Sequence, residues 1–167
     1  MKIAKLISTL FYSGLSPIAP GTCGSLLALI FIFPLAFLPQ SISLVFLFFI
    51  TSAILGFVFI PRYLQGRVAD LQEIVIDEAA GLYLTIFLAM VFLRFFAVKA
   101  NIFFIFGLSF IFFRIFDITK PLIIGYFDRT LKGAAGIMVD DLLAGVFAGV
   151  CVTLLLTIFY NFFHYIQ

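Results

Sequence analysis

The sequence SISLVFLFFITSAILGFVFI, from Ser41 to Ile60, contains no charged side chain. An α-helix rises about 1.5 Å per residue, so about 20 residues cross the roughly 30 Å hydrocarbon core of a bilayer. This stretch has that length and is apolar on most of its surface. It therefore predicts a transmembrane helix and places the chain among integral membrane proteins.

The composition of the whole chain supports the same class. Of the 167 residues, 65% are hydrophobic and 11% are charged, and the mean hydropathy is +1.29. The 25 Phe residues are spread along the chain, so a removable signal peptide alone does not explain the hydropathy. The net charge of +2 without a basic run argues against nucleic-acid binding. We predict the lipid bilayer as a partner, while the sequence identifies no protein partner.

Proline residues within the apolar sequence divide it into further spans. The uncharged region from Leu6 to Pro61 is interrupted near Pro34 and Pro39, which predicts a helical hairpin. We predict spans over residues 24–38, 41–60, 79–96, 100–113 and 142–163. The fourth is the shortest, so we expect about four to five transmembrane helices in one all-α membrane domain covering residues 1–167.

The N-terminus has the pattern of an interfacial helix. Its apolar side chains share one helical face, from which Lys2 and Lys5 are excluded. This face consists of Ile3, Leu6, Ile7 and Leu10.

The distribution of Lys and Arg predicts the orientation in the membrane, because positively charged loops are retained in the cytoplasm. With the N-terminus inside, only Arg94 and Lys99 lie outside. The cytoplasmic set is Lys2, Lys5, Arg62, Arg67, Arg114, Lys120, Arg129 and Lys132. The same topology places every acidic residue on the cytoplasmic side. We therefore predict a functional site at the cytoplasmic membrane surface.

A segment rich in Gly and Pro, Ser16-Pro-Ile-Ala-Pro-Gly-Thr-Cys-Gly-Ser25, leads into the first predicted span. Its backbone N–H groups and the positive end of the following helix dipole are suited to hold a phosphate. The alternative is structural, with Thr22 or Ser25 capping the helix. The phosphate-binding candidates here are Ser16, Gly21, Thr22, Gly24 and Ser25.

Two acidic pairs stand where predicted spans begin. Asp77 lies one helical turn ahead of Gly81, and Asp141 lies one turn ahead of Gly145. Because Gly permits close approach of a second helix, the two helices are suited to share a cation between their carboxylates. The alternative is that the acids only offset the helix dipole, an effect of about 0.3–1 kcal/mol. That alternative explains one acid per helix better than a pair.

Basic and acidic side chains alternate near the end of the fourth span. Arg114, Asp117 and Lys120 recur at three-residue intervals and are followed by Asp128 and Arg129. A structural ladder of salt bridges explains this spacing as well as a phosphate site does. Against the ladder, Arg114 lies close enough to the apolar core that a purely structural role would be costly.

Clustered carboxylates together with several Arg and Lys indicate a hard-cation site for a phosphorylated substrate. His164 lies near the other end of the last span, where we expect an interfacial side chain, and Cys23 and Cys151 show no ligand spacing. Acid–base chemistry is therefore assigned to the carboxylates and to water activated by the cation. The catalytic and metal-binding candidates are Asp77, Glu78, Asp117, Asp140 and Asp141, and further phosphate-binding candidates are Arg114, Lys120, Asp128 and Arg129.

Four segments resemble the bacterial phosphatidylglycerophosphatase A family in order and spacing. They are GLSPIAPGTCGS at residues 14–25, DEAAG at 77–81, FRIFDITKP at 113–121, and GIMVDD at 136–141 followed by Ala144-Gly145. The match spans nearly the whole chain. The resemblance implies a multi-pass bacterial inner-membrane enzyme that requires Mg²⁺ and hydrolyses phosphatidylglycerophosphate to phosphatidylglycerol and inorganic phosphate.

The sequence leaves the mechanism and two other classes of function open. One carboxylate is expected to act as a general base, although an aspartyl-phosphate intermediate is equally compatible with the residues. A small multi-pass transporter would place ionisable residues inside its spans, and the interiors of the first, second and fifth spans have none. A non-catalytic protein that binds lipid phosphates is the other alternative.

Overall fold

A computed structural model describes residues 2–65, 72–121 and 123–166, except for the side chains of Asp128, Phe163, His164 and Ile166. The described part is helical and contains no strand. Its α-helices are α1 (Lys2–Ser8), α2 (Pro20–Ile32), α3 (Ser41–Leu64), α4 (Ile76–Phe95), α5 (Ile102–Thr119), α6 (Ile123–Thr130) and α7 (Gly133–Ile166). Short 3-10 turns at Ser13–Leu15 and Phe33–Phe37 precede and follow α2.

Five helical segments are long and apolar enough to cross a membrane. They are Pro20–Phe37, Ser41–Leu64, Ile76–Phe95, Ile102–Thr119 and Gly133–Phe162. This confirms the prediction of an all-α membrane protein and the upper number of predicted spans. The fourth span is longer than predicted because α5 continues through Arg114 and Asp117 to Thr119.

Helix α4 lies at the centre of the bundle. The buried share of this span is 67%, compared with 17–39% for the other four. It packs against α2, α3, α5 and α7. The short side chains of Ala79, Ala80 and Ala89 are buried on α4 and allow neighbouring helices to approach it.

The predicted close approach of two acidic helices is confirmed between α4 and α7. A Cβ added at Gly81 would lie 2.6 Å from the backbone oxygen of Asp141, and one added at Gly145 would lie 2.5 Å from that of Gly81. Thr85 Oγ1 donates to the Gly145 carbonyl at 3.2 Å. One turn further on, a Cβ at Gly149 would lie 3.2 Å from the Thr85 backbone oxygen. The helices therefore run parallel and meet along small residues.

Two predicted helix starts are wrong. Helix α2 begins at Pro20 rather than at Gly24, because Pro at the first helical position has a suitable φ and lacks an N–H that would need a partner. Helix α7 begins at Gly133 rather than at Leu142. Asp140 and Asp141 are therefore buried inside a continuous helix, and their charge does not mark its beginning.

The N-terminal helix is shorter than its predicted apolar face. Helix α1 ends at Ser8, so Leu10 lies beyond it in a left-handed backbone conformation with φ 42°. Ala4 and Ser8 are the buried positions of α1, whereas Ile3 is 65% exposed. The exposed Ile3 suits an interfacial location, which stays a prediction.

Candidate active site

The candidate residues gather at one end of the bundle. This end contains the beginnings of α2 and α4, the end of α5 and the early turns of α7. Ion pairs connect these helices, joining Glu78 of α4 to Arg114 of α5 and Lys120, just after α5, to Asp140 of α7. Segments far apart in sequence therefore form a single polar cluster.

Arg114 is the centre of the first half of this cluster. Its Nη1 lies 2.7 Å from Glu78 Oε2 and 2.7 Å from Asp117 Oδ2. Ser25 Oγ donates to the same Glu78 oxygen at 2.9 Å. The side chains of the three charged residues are only 12–15% exposed, so these interactions are charge-assisted and weakly screened by water.

The Gly-rich segment contributes to the site by close packing. A Cβ at Gly21 would collide with the Glu78 carboxylate, and one at Gly24 would lie 2.6 Å from Val75 Cβ. Gly21, Thr22, Gly24 and Ser25 lie in the first two turns of α2 rather than in a loop. The capping alternative is wrong, because the residue before α2 is Ala19 and no side chain caps the helix.

Lys120 and Asp140 form the second half of the cluster. Lys120 Nζ lies 2.5 Å from Asp140 Oδ2, and Asp140 Oδ1 accepts a hydrogen bond from the Asp141 backbone N–H at 3.1 Å. Lys120 follows the last residue of α5 in a left-handed conformation with φ 41°. The alternative of a salt-bridge ladder along α5 is therefore only half right, because Arg114 pairs with Asp117 whereas Lys120 pairs with Asp140 of α7.

Asp77 and Asp141 are buried between these two halves. They are 7% and 4% exposed, and within the described residues neither Asp77 Oδ1 nor Asp141 Oδ2 has a hydrogen-bond partner. The negative charges of Asp117, Asp77, Asp140 and Glu78 all act on Asp141. A buried carboxylate is costly unless it is protonated or paired with a cation, so this arrangement is suited to hold a cation.

The chemistry of the donor set fits Mg²⁺. Carboxylate oxygens are the ligands of this ion, which is commonly held by one or two protein carboxylates while substrate phosphates and water complete the coordination. Asp77 and Asp141 each provide a buried oxygen that lacks a partner. No three acidic side chains of the described residues form a complete metal centre by themselves.

A buried donor in the same cluster also lacks a partner. Arg114 Nε makes no hydrogen bond within the described part of the chain, although its Nη1 is ion-paired. The cluster therefore contains two oxygens suited to a cation and an N–H suited to an anion. A phosphate bound together with a divalent cation would supply the cation for these oxygens and the anion for this N–H group.

Three of the predicted phosphate-binding residues are not brought into this network. Ser16 Oγ donates to the Ile18 carbonyl at 2.9 Å, and Arg129 is exposed and donates to the Gly125 carbonyl at 2.9 Å. Thr22 is half-buried, without a side-chain hydrogen bond in the described residues. The side chains of Asp128 and His164 lie outside the description, so the predictions about them stay predictions.

Two residues that support the contact between α4 and α7 were not predicted from the sequence. Thr85 lies one turn after Gly81, and its spacing from Gly81 was the available signal for a shared contact face. Gly149 forms a Gly-x-x-x-Gly pattern with Gly145, a recognised signal of close helix packing in membranes. The link between Arg114 and Glu78 had no local signal, because the two residues are 36 positions apart.

Comparison with known proteins identifies relatives of the chain. The sequence matches the family described as Phosphatidylglycerophosphatase A over residues 6–156. Phosphatidylglycerophosphatase A of Escherichia coli is 39% identical over 84% of this chain and 76% of its own length. The protein of the same name from Haemophilus influenzae is 36% identical over 88% of this chain and 85% of its own.

A relative with a different name is also similar. A Bacteroides thetaiotaomicron protein provisionally named phosphatidylinositol-3-phosphatase is 34% identical over 86% of this chain and 87% of its own length. No solved structure matches the chain significantly. All three relatives therefore carry the names of lipid phosphatases.

Proposed function

The chain belongs to the phosphatidylglycerophosphatase A family and is a phosphatase of phosphatidylglycerophosphate, and we propose that its reaction takes place at the polar cluster described above. The products are phosphatidylglycerol and inorganic phosphate. The observation that carries this proposal is a set of three buried atoms of the cluster that have no hydrogen-bond partner among the described residues: Asp77 Oδ1, Asp141 Oδ2 and Arg114 Nε. A phosphate monoester and a divalent cation together would satisfy all three.

Arg114 and Lys120 bind the phosphate of the substrate. Glu78 and Asp117 hold the Arg114 guanidinium in place through Nη1, so its unpartnered Nε is oriented before the substrate arrives. Lys120 is 30% exposed, more than the other charged residues of the cluster, and is therefore the cation that an incoming headgroup reaches first. Preorganised donors of this kind stabilise the charge on the phosphoryl oxygens in the transition state.

Asp77 and Asp141 would hold Mg²⁺, with Asp140 and Asp117 close by. The described cluster contains five carboxylates but only two cationic side chains, Arg114 and Lys120, so a phosphate anion would be repelled without an added cation. When bound, Mg²⁺ supplies neutralisation of the phosphate charge and polarisation of the attacking water. The Asp77 and Asp141 carboxylates would determine where the positive charge of the ion lies relative to the phosphate.

A carboxylate of the cluster accepts a proton during hydrolysis. The oxygen of water attacks phosphorus, the bond from phosphorus to the glycerol oxygen breaks, and the water proton passes to the carboxylate. The glycerol oxygen leaves and takes up this proton from the carboxyl group, which returns to its ionised form, and becomes the hydroxyl of phosphatidylglycerol. The side chains suited to accept the first proton are Glu78, Asp117 and Asp140.

The site faces the cytoplasm of a bacterial cell, at the surface of the inner membrane. The predicted excess of Lys and Arg on this side of the chain supports the orientation. The five membrane-crossing helices support embedding of the lipid substrate in the same leaflet as the site. The acyl chains of the lipid substrate then remain in the bilayer while its headgroup reaches the cluster.

The proposal is tested by phosphate release from phosphatidylglycerophosphate with purified protein in detergent. We expect release with Mg²⁺, none with EDTA, and recovery when excess Mg²⁺ is added back. Release that persists in EDTA would contradict the cation requirement alone. Binding of the lipid without any release would instead favour the non-catalytic alternative.

A further inference from the structure

The connection between α1 and α2 contains a left-handed turn made of ordinary residues. Leu10, Phe11 and Tyr12 have φ values of 42°, 55° and 69°. A left-handed conformation costs a residue with a Cβ about 1–2 kcal/mol. Three in succession persist only where surrounding contacts hold them, and such strain is often found beside functional sites.

Side-chain hydrogen bonds hold this turn from within. Thr9 Oγ1 donates to the Lys5 carbonyl at 2.8 Å and accepts from the Tyr12 N–H at 3.2 Å. Ser13 Oγ donates to the Leu10 carbonyl at 2.8 Å. Thr9 is fully buried, so its hydroxyl bonds are shielded from competing water.

The turn brings two backbone groups against the segment that precedes α4. The Ser8 carbonyl accepts a hydrogen bond from the Val75 N–H at 3.0 Å. Gly14 packs so closely on the Glu73 carbonyl that an added Cβ would collide with its oxygen, and the same Cβ would lie 3.1 Å from Val75 Cγ2. Gly24 of α2 also packs against Val75, close to its Cβ.

These contacts fix the first turn of the central helix. Val75 is the residue before α4, has no capping side chain, and accepts the Ala79 N–H at 3.2 Å. Asp77 and Glu78 follow two and three residues later. Any displacement of Val75 therefore moves both carboxylates relative to Arg114 and Asp141, which other helices hold.

We propose that the turn from Thr9 to Gly14 positions Asp77 and Glu78 for catalysis, with Gly14 as the positioning residue. The inference rests on the proposed function of the cluster. Gly14 lies at this point because only a residue without a Cβ lets the turn meet the Glu73 carbonyl. Misplacement of reacting groups by about 1 Å can lower a rate by about 100-fold, so loss of this contact affects turnover.

The substitution Gly14→Ala tests the proposal, and Gly107→Ala is its matched control. Gly107 lies on α5 with open space where its Cβ would be, so the same methyl group displaces nothing there. For Gly14→Ala we expect a fall in kcat of about 10-fold to 100-fold and a KM within about threefold of the wild type, because Arg114 and Lys120 are untouched. The control should keep both constants.

A second readout does not depend on activity. Binding of Mg²⁺ to the folded protein raises its Tm in detergent, and we expect a smaller rise for Gly14→Ala than for Gly107→Ala, because Asp77 is displaced from Asp141. A Gly14→Ala protein that keeps kcat within twofold, or that shows the full rise with Mg²⁺, would overturn the proposal. Wild-type protein that shows the rise but releases no phosphate would contradict the proposed function instead.

The variant Thr9→Val covers the case in which Gly14→Ala does not fold. Valine keeps the shape of Thr9 but removes the hydroxyl that holds the left-handed turn. We expect a folded protein with reduced kcat, an unchanged KM and a smaller Tm rise with Mg²⁺. Normal turnover in Thr9→Val overturns the proposal, and so does failure of both variants to fold, since the segment would then be a general scaffold.

Discussion

The carboxylate of Asp141 is buried with an unpartnered oxygen beside other acidic side chains. Asn has nearly the same size but lacks the charge that a hard cation requires. For Asp141→Asn we expect a folded protein whose turnover falls by about 100-fold or more, equivalent to about 2.7 kcal/mol of barrier. Phosphate release at saturating Mg²⁺ measures this effect.

Asp77→Asn provides the matched comparison. Because both side chains serve one site, we expect the double variant to be little worse than either single variant. Both single variants should lose the Tm rise produced by Mg²⁺ while unfolding no earlier than the wild type without the ion, since each removes a buried, uncompensated charge. Near-normal turnover in Asp141→Asn would place the cation elsewhere.

The contact between α4 and α7 sets the separation of the acidic pairs. A Cβ at Gly81 would lie 2.5 Å from Phe113 Cε2 and 2.6 Å from the Asp141 backbone oxygen. Phe113 is fully buried, and a backbone oxygen cannot rotate away. For Gly81→Ala we therefore expect a loss of about 1–3 kcal/mol in the free energy of unfolding, together with reduced turnover.

Thermal unfolding in detergent checks this expectation, again with Gly107→Ala as the control. The control should unfold close to the wild-type temperature, because its added methyl group meets no atom within 4 Å. A Gly81→Ala protein of unchanged Tm would mean that the two helices separate at little cost. That result would contradict the proposal that the contact between α4 and α7 sets the separation of the acidic pairs.

The whole molecule has one polar end, and its orientation in the membrane is testable. We replace Cys23 and Cys151 and introduce single cysteines at half-buried Leu131, near the polar end, or at exposed Lys99, beyond the other end of α4. An impermeant maleimide should label Lys99→Cys in cells with a permeabilised outer membrane and label Leu131→Cys only after lysis. The reverse pattern would place the site outside the cytoplasm.

The sequence alone determined the class of the protein, limited the number of spans to about four to five, and indicated most residue types of the candidate site. Length and hydropathy are local properties, so an uncharged stretch such as residues 41–60 identifies a span without knowledge of its neighbours. Ionisable residues are costly near a bilayer, so Asp77, Asp141 and Arg114 were visible as functional candidates. The starts of helices were less predictable. Asp140 and Asp141 are charged residues next to an apolar stretch, but they lie inside α7 and not at its beginning.

Only the tertiary structure decided which of these charges belong together. Arg114 joins Glu78 to Asp117, Lys120 leaves its own helix for Asp140, and Gly14 meets the Glu73 carbonyl. The pairing of Arg114 with Glu78, the pairing of Lys120 with Asp140 and the contact of Gly14 with Glu73 follow no local period. Whether a carboxylate is ion-paired, or buried without a partner, depends on the helices around it, and these meet only when the bundle has assembled.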